Sequence, residues 1–163
     1  MACKICEKKP YFNSMCIQCF NNYFIKKVRR NIRLNDLFRR NDSVFVKDKK
    51  DAQSFAAKWI VENMEMPLKF SKNGKEIIGS SAEEESSEFL KSMFENKSLK
   101  KDKRIKLFTQ MCLDEIYVFA KLKGYKGKKP ELDELMQMVE AIEKKHSTTK
   151  SALFKSVQAL KQL

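Results

Sequence analysis

Four cysteines open the chain as two Cys-x-x-Cys pairs, Cys3-Lys4-Ile5-Cys6 and Cys16-Ile17-Gln18-Cys19, nine residues apart. Each pair suits a tight knuckle, and two knuckles folded together offer four thiolates to one ion in a tetrahedron, the pattern of a zinc ribbon. Four thiolates fill the coordination shell and leave no position for water or substrate. The expected cofactor is therefore one structural Zn2+ that holds the segment together and does no chemistry. No other group is arranged for catalysis. Cys112, the fifth cysteine, has no such partner and sits among Met111, Leu113 and Ile116, where it reads as a buried apolar residue. His146, the single histidine, lacks Ser or Cys companions in any catalytic arrangement. Glu83, Glu84, Glu85 and Glu88 resemble an acid/base cluster by type alone. Neighbouring positions fan around a helix, so these acids read as a solvated helix start that favours the positive end of the dipole.

What the knuckles must position is a helix. Phe20, Tyr23, Phe24, Val28, Ile32 and Leu37 recur at helical spacing, while Lys26, Arg29, Arg30 and Arg33 stand at i, i+3, i+4 and i+7 on another face. Lys27, Arg39 and Arg40 add to this charge, and Asp36 is the sole acid between Phe20 and Arg40. A merely soluble helix interleaves signs; a face this cationic calls for an external polyanion. The chain as a whole agrees: 34 Lys and Arg against 21 Asp and Glu give a net charge of +13 over 163 residues. That excess points to nucleic acid before an anionic membrane surface. No apolar run approaches the roughly 20 residues that span a bilayer. Reduced thiols suited to zinc fit a cytoplasmic protein.

Behind the helix the pattern alternates strand and helix, as in an α/β domain. Ser43-Val44-Phe45-Val46 reads as a strand, and Asp51 caps a helix to about Met64 with Phe55, Trp59, Ile60 and Met64 inward. Strands follow at Leu68 to Phe70, Ile77-Ile78 and Ile105 to Phe108, with helices over Ala82 to Phe94, Leu113 to Lys123 and Leu132 to Lys145. A last helix is expected from Thr149, burying Leu153, Val157 and Leu160. Basic loops bring Lys49 and Lys50, Lys100 and Lys101, and Lys128 and Lys129 to the surface as further phosphate contacts. The expected fold class is α/β: residues 1–40 form the zinc ribbon and basic helix, residues 41–163 a reduced Rossmann-like body ending in helices.

The order of these motifs resembles the cytosolic tRNA 2-thiolation family, which places sulfur on wobble uridine, and most of all its non-catalytic branch, the thiouridylase subunit two-like proteins. The resemblance rests on Cys16 to Phe20, Tyr23-Phe24 and Lys27-Val28-Arg29. It continues through Ile78-Gly79-Ser80-Ser81-Ala82-Glu83-Glu84, Phe89-Leu90 and Arg104-Ile105-Lys106. Further on it includes Glu115-Ile116, Phe119-Ala120-Lys121-Leu122-Lys123-Gly124, and the stretch from Glu140 to Lys155, where Ser147 replaces a usual proline. The resemblance implies a PP-loop-type body, a structural zinc and RNA binding.

The departures withhold the reaction. Family enzymes hold ATP with an S-G-G-x-D-S loop, whose small residues let backbone amides reach the pyrophosphate. The same place here reads Lys47-Asp48-Lys49-Lys50-Asp51-Ala52, without glycine. The family's sulfur-transfer cysteines and second zinc site are missing as well. The expectation is a non-enzymatic binder of structured RNA, either ribosomal RNA or tRNA. The compact Lys-, Phe- and Met-rich chain suggests a ribosome-associated dormancy factor of the microsporidian kind. It would occupy a tRNA exit site, touch ribosomal proteins and inhibit translation. The alternative is a non-catalytic tRNA-binding subunit beside a thiolation enzyme.

Overall fold

The structure is a computed structural model that describes residues 2–96 and 102–146, with 149, 152, 153, 155, 156 and 159 beyond. Its elements, in order, are α1 (Ile17–Leu34), β1 (Ser43–Val46), α2 (Ala52–Glu62), β2 (Lys69–Phe70), β3 (Lys75–Ile78), α3 (Ala82–Phe94), β4 (Ile105–Lys106), α4 (Leu113–Leu122) and α5 (Glu134–Lys145). The strands form one parallel sheet in the order β2-β1-β3-β4. Parallel neighbours need crossovers, and the helices between the strands supply them. Because the chain leaves β1 toward β2 and returns to its other side at β3, the carboxyl ends of β1 and β3 flank a crevice where the strand order reverses.

Local chemistry explains most boundaries. The Asp51 carboxylate accepts the Ser54 amide at 2.7 Å and starts α2. Ser81 and Glu84 form a reciprocal capping box at α3, and Asp133 accepts the Met136 amide at α5. Gly79 is required by space: a Cβ there would lie 2.6 Å from the Gln53 carbonyl oxygen, so β3 passes the start of α2 only without a side chain. α1 ends at Leu34, short of the Leu37 that its apolar spacing includes. Asp36 takes a left-handed turn (φ 44°), and the chain folds back to bury Phe38. Likewise β4 stops at Lys106; the fully buried Leu107 and Phe108 enter a turn in which the Met111 amide donates to the Phe108 carbonyl.

One apolar cluster runs through the molecule. Phe20, Phe24, Val28 and Ile32 of α1 pack with Phe108, Ile116, Phe119 and Ala120 and with Ala56, Ala57 and Ile60 of α2. Phe24 stacks on Phe119 at 4.2 Å and touches Phe108 at 5.7 Å. Side chains of this size contribute about 2–3 kcal/mol each on burial, so the knuckle segment and the sheet share a core across residue 40. Trp59 belongs to its margin, edge-on to Phe119 at 5.4 Å with the Lys123 ammonium 4.1 Å above its ring.

The glutamates at α3 depart from the solvated start expected for them. Glu83 and Glu85 are 2% and 3% exposed. They do fan apart, but each meets a different inward partner. Glu83 accepts the Leu113 amide at the start of α4, Glu84 accepts Gln53 Nε2 at 2.6 Å, and Glu85 accepts Ser80 Oγ and pairs with Lys106 Nζ at 2.6 Å. A final helix from Thr149 rests largely on residues outside those described, Val157 and Leu160 among them.

Candidate metal centre and basic face

A short hairpin shapes the first knuckle. Phe12 bridges Met15 across Asn13 and Ser14, both in left-handed conformation (φ 49° and 58°), and the Cys3 and Lys4 amides donate to the Lys8 and Ser14 carbonyls. The second knuckle is the start of α1: Cys16 is its N-cap and Cys19 lies in its first turn. The four Sγ atoms of Cys3, Cys6, Cys16 and Cys19 all lie within 4.8 Å of one another. Cys6 is 3.5 Å from Cys16 and 3.6 Å from Cys19. Ligands about 2.3 Å from a tetrahedral zinc stand roughly 3.8 Å apart, so the set fits one metal ion.

Electrostatics ask for that ion. Burial opposes ionisation of Cys3, but backbone N–H groups of Ile5, Cys16 and Cys6 outweigh it and bring the thiol down to about 6. Cys16 is also lowered, mainly by the Cys19 amide. Cys19 is pushed up to about 12, first by its contact with the Cys16 sulfur and then by burial and the other thiols. Four sulfurs this close cannot all carry charge alone; a bound metal would remove the conflict.

α1 carries its charge outward from this anchor. Lys26, Arg29, Arg30 and Arg33 are exposed, and so are Arg39 and Arg40 beyond the helix. Arg29 reaches Glu65 at 3.0 Å and Arg39 reaches Asp36 at 3.4 Å. Among the described residues Lys26, Arg30, Arg33 and Arg40 meet no carboxylate. Lys27, expected with them, turns inward instead. It pairs with the buried Glu115 at 3.0 Å beside Tyr23, which donates to the same carboxylate. Burial works against the Lys27 charge, yet Glu115 raises its pKa above the ordinary value. Asn31, also buried, donates to the Leu107 carbonyl. Tyr23, Lys27 and Asn31 thereby lock the inner side of α1 to the body, a role the sequence hid because Glu115 lies 88 residues from Lys27. Lys49, Lys50, Lys128 and Lys129 are exposed on separate loops, Lys129 pairing with Asp114 at 2.8 Å. Lys100 and Lys101 fall outside the described residues.

A cleft of about 270 Å3 occupies the strand-order reversal, lined by Lys47, Lys49, Asp51, Glu84, Arg104 and Lys106 among others. Its last two cations are Arg104, just before β4, and Lys106 on β4, from the Arg104-Ile105-Lys106 stretch on which the family resemblance also rests. Neither cation is free. Arg104 binds both oxygens of Asp102, at 2.9 and 2.8 Å, and holds that carboxyl down at about 2. Lys106 lies among Glu85, Glu88 and Asp102, at 2.6, 3.0 and 3.6 Å. The lining fits a nucleotide phosphate poorly: Asp51 takes the Ser54 amide at the start of α2, and Glu84 and Glu88 add negative charge.

No protein-family model and no curated protein sequence matches the chain. Among solved structures it is similar to the U34-tRNA thiolase NcsA from Methanococcus maripaludis, described with its [4Fe-4S] cluster. The TM-score is 0.77 at 16% identity, over 100% of this chain and 88% of that one. The two share a fold. The thiolase-like Rossmann-type architecture expected from motif order is thus present, with a cysteine cluster at its amino-terminal end able to bind metal. No helix among the described residues is long and apolar enough to cross a membrane.

Proposed function

We propose that the chain is a non-enzymatic binder of structured RNA, tRNA foremost, serving wobble-uridine 2-thiolation as a tRNA-binding subunit beside a catalytic partner. The observation that carries this is the pairing pattern of α1. Its inner cation, Lys27, is locked to Glu115, while Lys26, Arg30 and Arg33 face solvent and meet no acid among the described residues, on a helix anchored at its first turn by cysteines. A rigid rod of unpaired cations meets phosphates in one pose. The likeness to a tRNA thiolase favours tRNA as the polyanion. No turnover is assigned to this chain, because the cleft at the strand-order reversal is crowded by its own lysines and carboxylates.

The bound ion in this reading is zinc. A four-iron cluster gives each thiolate its own iron and spreads the sulfurs wider than the ligands of one ion, whereas these lie within 4.8 Å. Zinc would be held by Cys3, Cys6, Cys16 and Cys19 and would supply only crosslinking. Metal analysis of colourless protein should return one zinc per chain; brown protein carrying iron and acid-labile sulfide overturns the assignment. A dormancy role at a ribosomal exit site draws on the same charge and on no observation beyond it, so it stands second.

Equilibrium binding to tRNA over a range of salt tests the function. Affinity should fall steeply with ionic strength, and co-purification should recover a thiolation enzyme. Salt-indifferent binding, or none, removes the proposal, and sedimentation with ribosomes at moderate salt would promote the second reading over it.

A further inference from the structure

β2 is an outer strand of the sheet, and Phe70 on it is 59% exposed. Lysines on an edge strand discourage pairing with other chains, which accounts for Lys69. It does not account for an aromatic ring left in water. Phe70 lines a cleft of about 290 Å3 with Phe45, with Lys58 and Lys72 as cations and Asp48 and Glu62 as carboxylates.

Contacts between successive segments link α1 to β2 beside this cleft. Arg29 joins α1 to Glu65, the Asn41 amide donates to the Pro67 carbonyl, and the Lys69 amide donates to the Asp42 carbonyl, the last two at 2.9 Å. The exposed cations Arg30, Arg33, Arg40, Lys69 and Lys72 lie on the segments so connected. None of the five meets a carboxylate among the described residues. A basic track ending at a solvent-facing ring is the arrangement by which proteins hold single-stranded nucleic acid, phosphates on the cations and a base on the π-face.

We propose that Phe70 and the cleft beside it receive an unpaired nucleobase of an RNA whose phosphates lie along the α1 track. The inference rests on the RNA-binding function proposed above and adds to it a single-stranded segment and the residue that reads it. Phe70 supplies the stacking face, and Asp48 and Glu62 offer acceptors to exocyclic amino groups. A two-residue strand offers too few main-chain hydrogen bonds for strand addition by a peptide.

The test compares wild type, Phe70→Leu and Phe70→Trp by fluorescence anisotropy with tRNA and with a fully duplex RNA, each at two salt concentrations. Phe70→Leu keeps an apolar side chain at an exposed position and removes the π-face. Its affinity for tRNA should fall about ten-fold, the scale of one lost base stack, with the salt slope unchanged. Phe70→Trp should bind tRNA at least as tightly as wild type, and duplex binding should be the same for all three. Equal affinity of Phe70→Leu and wild type for tRNA overturns the inference while leaving salt-dependent RNA binding in place. A parallel loss on tRNA and duplex overturns it as well. Failure of wild type to bind tRNA at all removes both proposals.

Discussion

Arg104 and Lys106 in the cleft at the strand-order reversal and Lys26, Arg30 and Arg33 on the outer face of α1 are all cations, but their charges have opposite fates. In the cleft Arg104 is clasped by Asp102, and Lys106 has Glu85, Glu88 and Asp102 within 3.6 Å. On α1 the outward Lys26, Arg30 and Arg33 have no such acids among the described residues. Charge satisfied within the chain builds the fold; charge left over is available to a partner. A count of basic residues cannot separate the two, since Lys27 and Arg30 sit one helical turn apart and differ only in what the rest of the chain brings to them.

Removing the metal ligands should have the largest effect. Cys16→Ser with Cys19→Ser, or strong chelation, unties the first turn of α1 from the knuckle. It also exposes Phe20 and Phe24 to rearrangement, because metal-binding free energy is folding free energy here. A fall in Tm of about 10 °C or more, with RNA affinity lost in parallel, is expected from thermal unfolding monitored by circular dichroism. An unchanged Tm would mean that the shared core holds α1 without metal.

Next in size, Glu85→Ala leaves Lys106 facing only Glu88 and Asp102 in a largely buried place. It should cost about 2–3 kcal/mol in denaturant unfolding while leaving RNA affinity as it was. Arg30→Ala with Arg33→Ala should do the reverse: stability within about 0.5 kcal/mol of wild type, and a salt slope for RNA binding reduced by about 2. If the two variants traded effects, the division between satisfied and available charge would collapse.

The smallest effect is a pH dependence. Asp102 is held down at about 2 by Arg104, so its folded pKa lies below the ordinary carboxylate value of 3.8. Its contribution to stability is present above 3.8 and is lost as pH falls through about 2. Asp102→Asn should flatten the stability curve in that window and leave it unaltered near neutrality in shape; denaturant midpoints between pH 2 and 5 read this directly.

Much of the architecture was legible because it is local. Asp51 marks the start of α2 through its cap, and the helix expected from Ala82 to Phe94 is present with those bounds, both set by interactions within a few residues. The gathering of the four cysteines was legible for the same reason, since knuckle geometry is set by two-residue spacing. Glu83 and Glu85 were misjudged because their partners, the Leu113 amide and Lys106, lie on other elements. Phe70 was legible as a strand residue but not as an exposed one, since only strand order reveals that β2 lies at an edge.

Composition and spacing by themselves determined that this chain would gather four sulfurs, carry an uncompensated positive surface and alternate strands with helices. Which cations remain outside was decided by the tertiary structure alone. A salt bridge is made by whichever groups folding brings within about 4 Å, and sequence distance does not measure that.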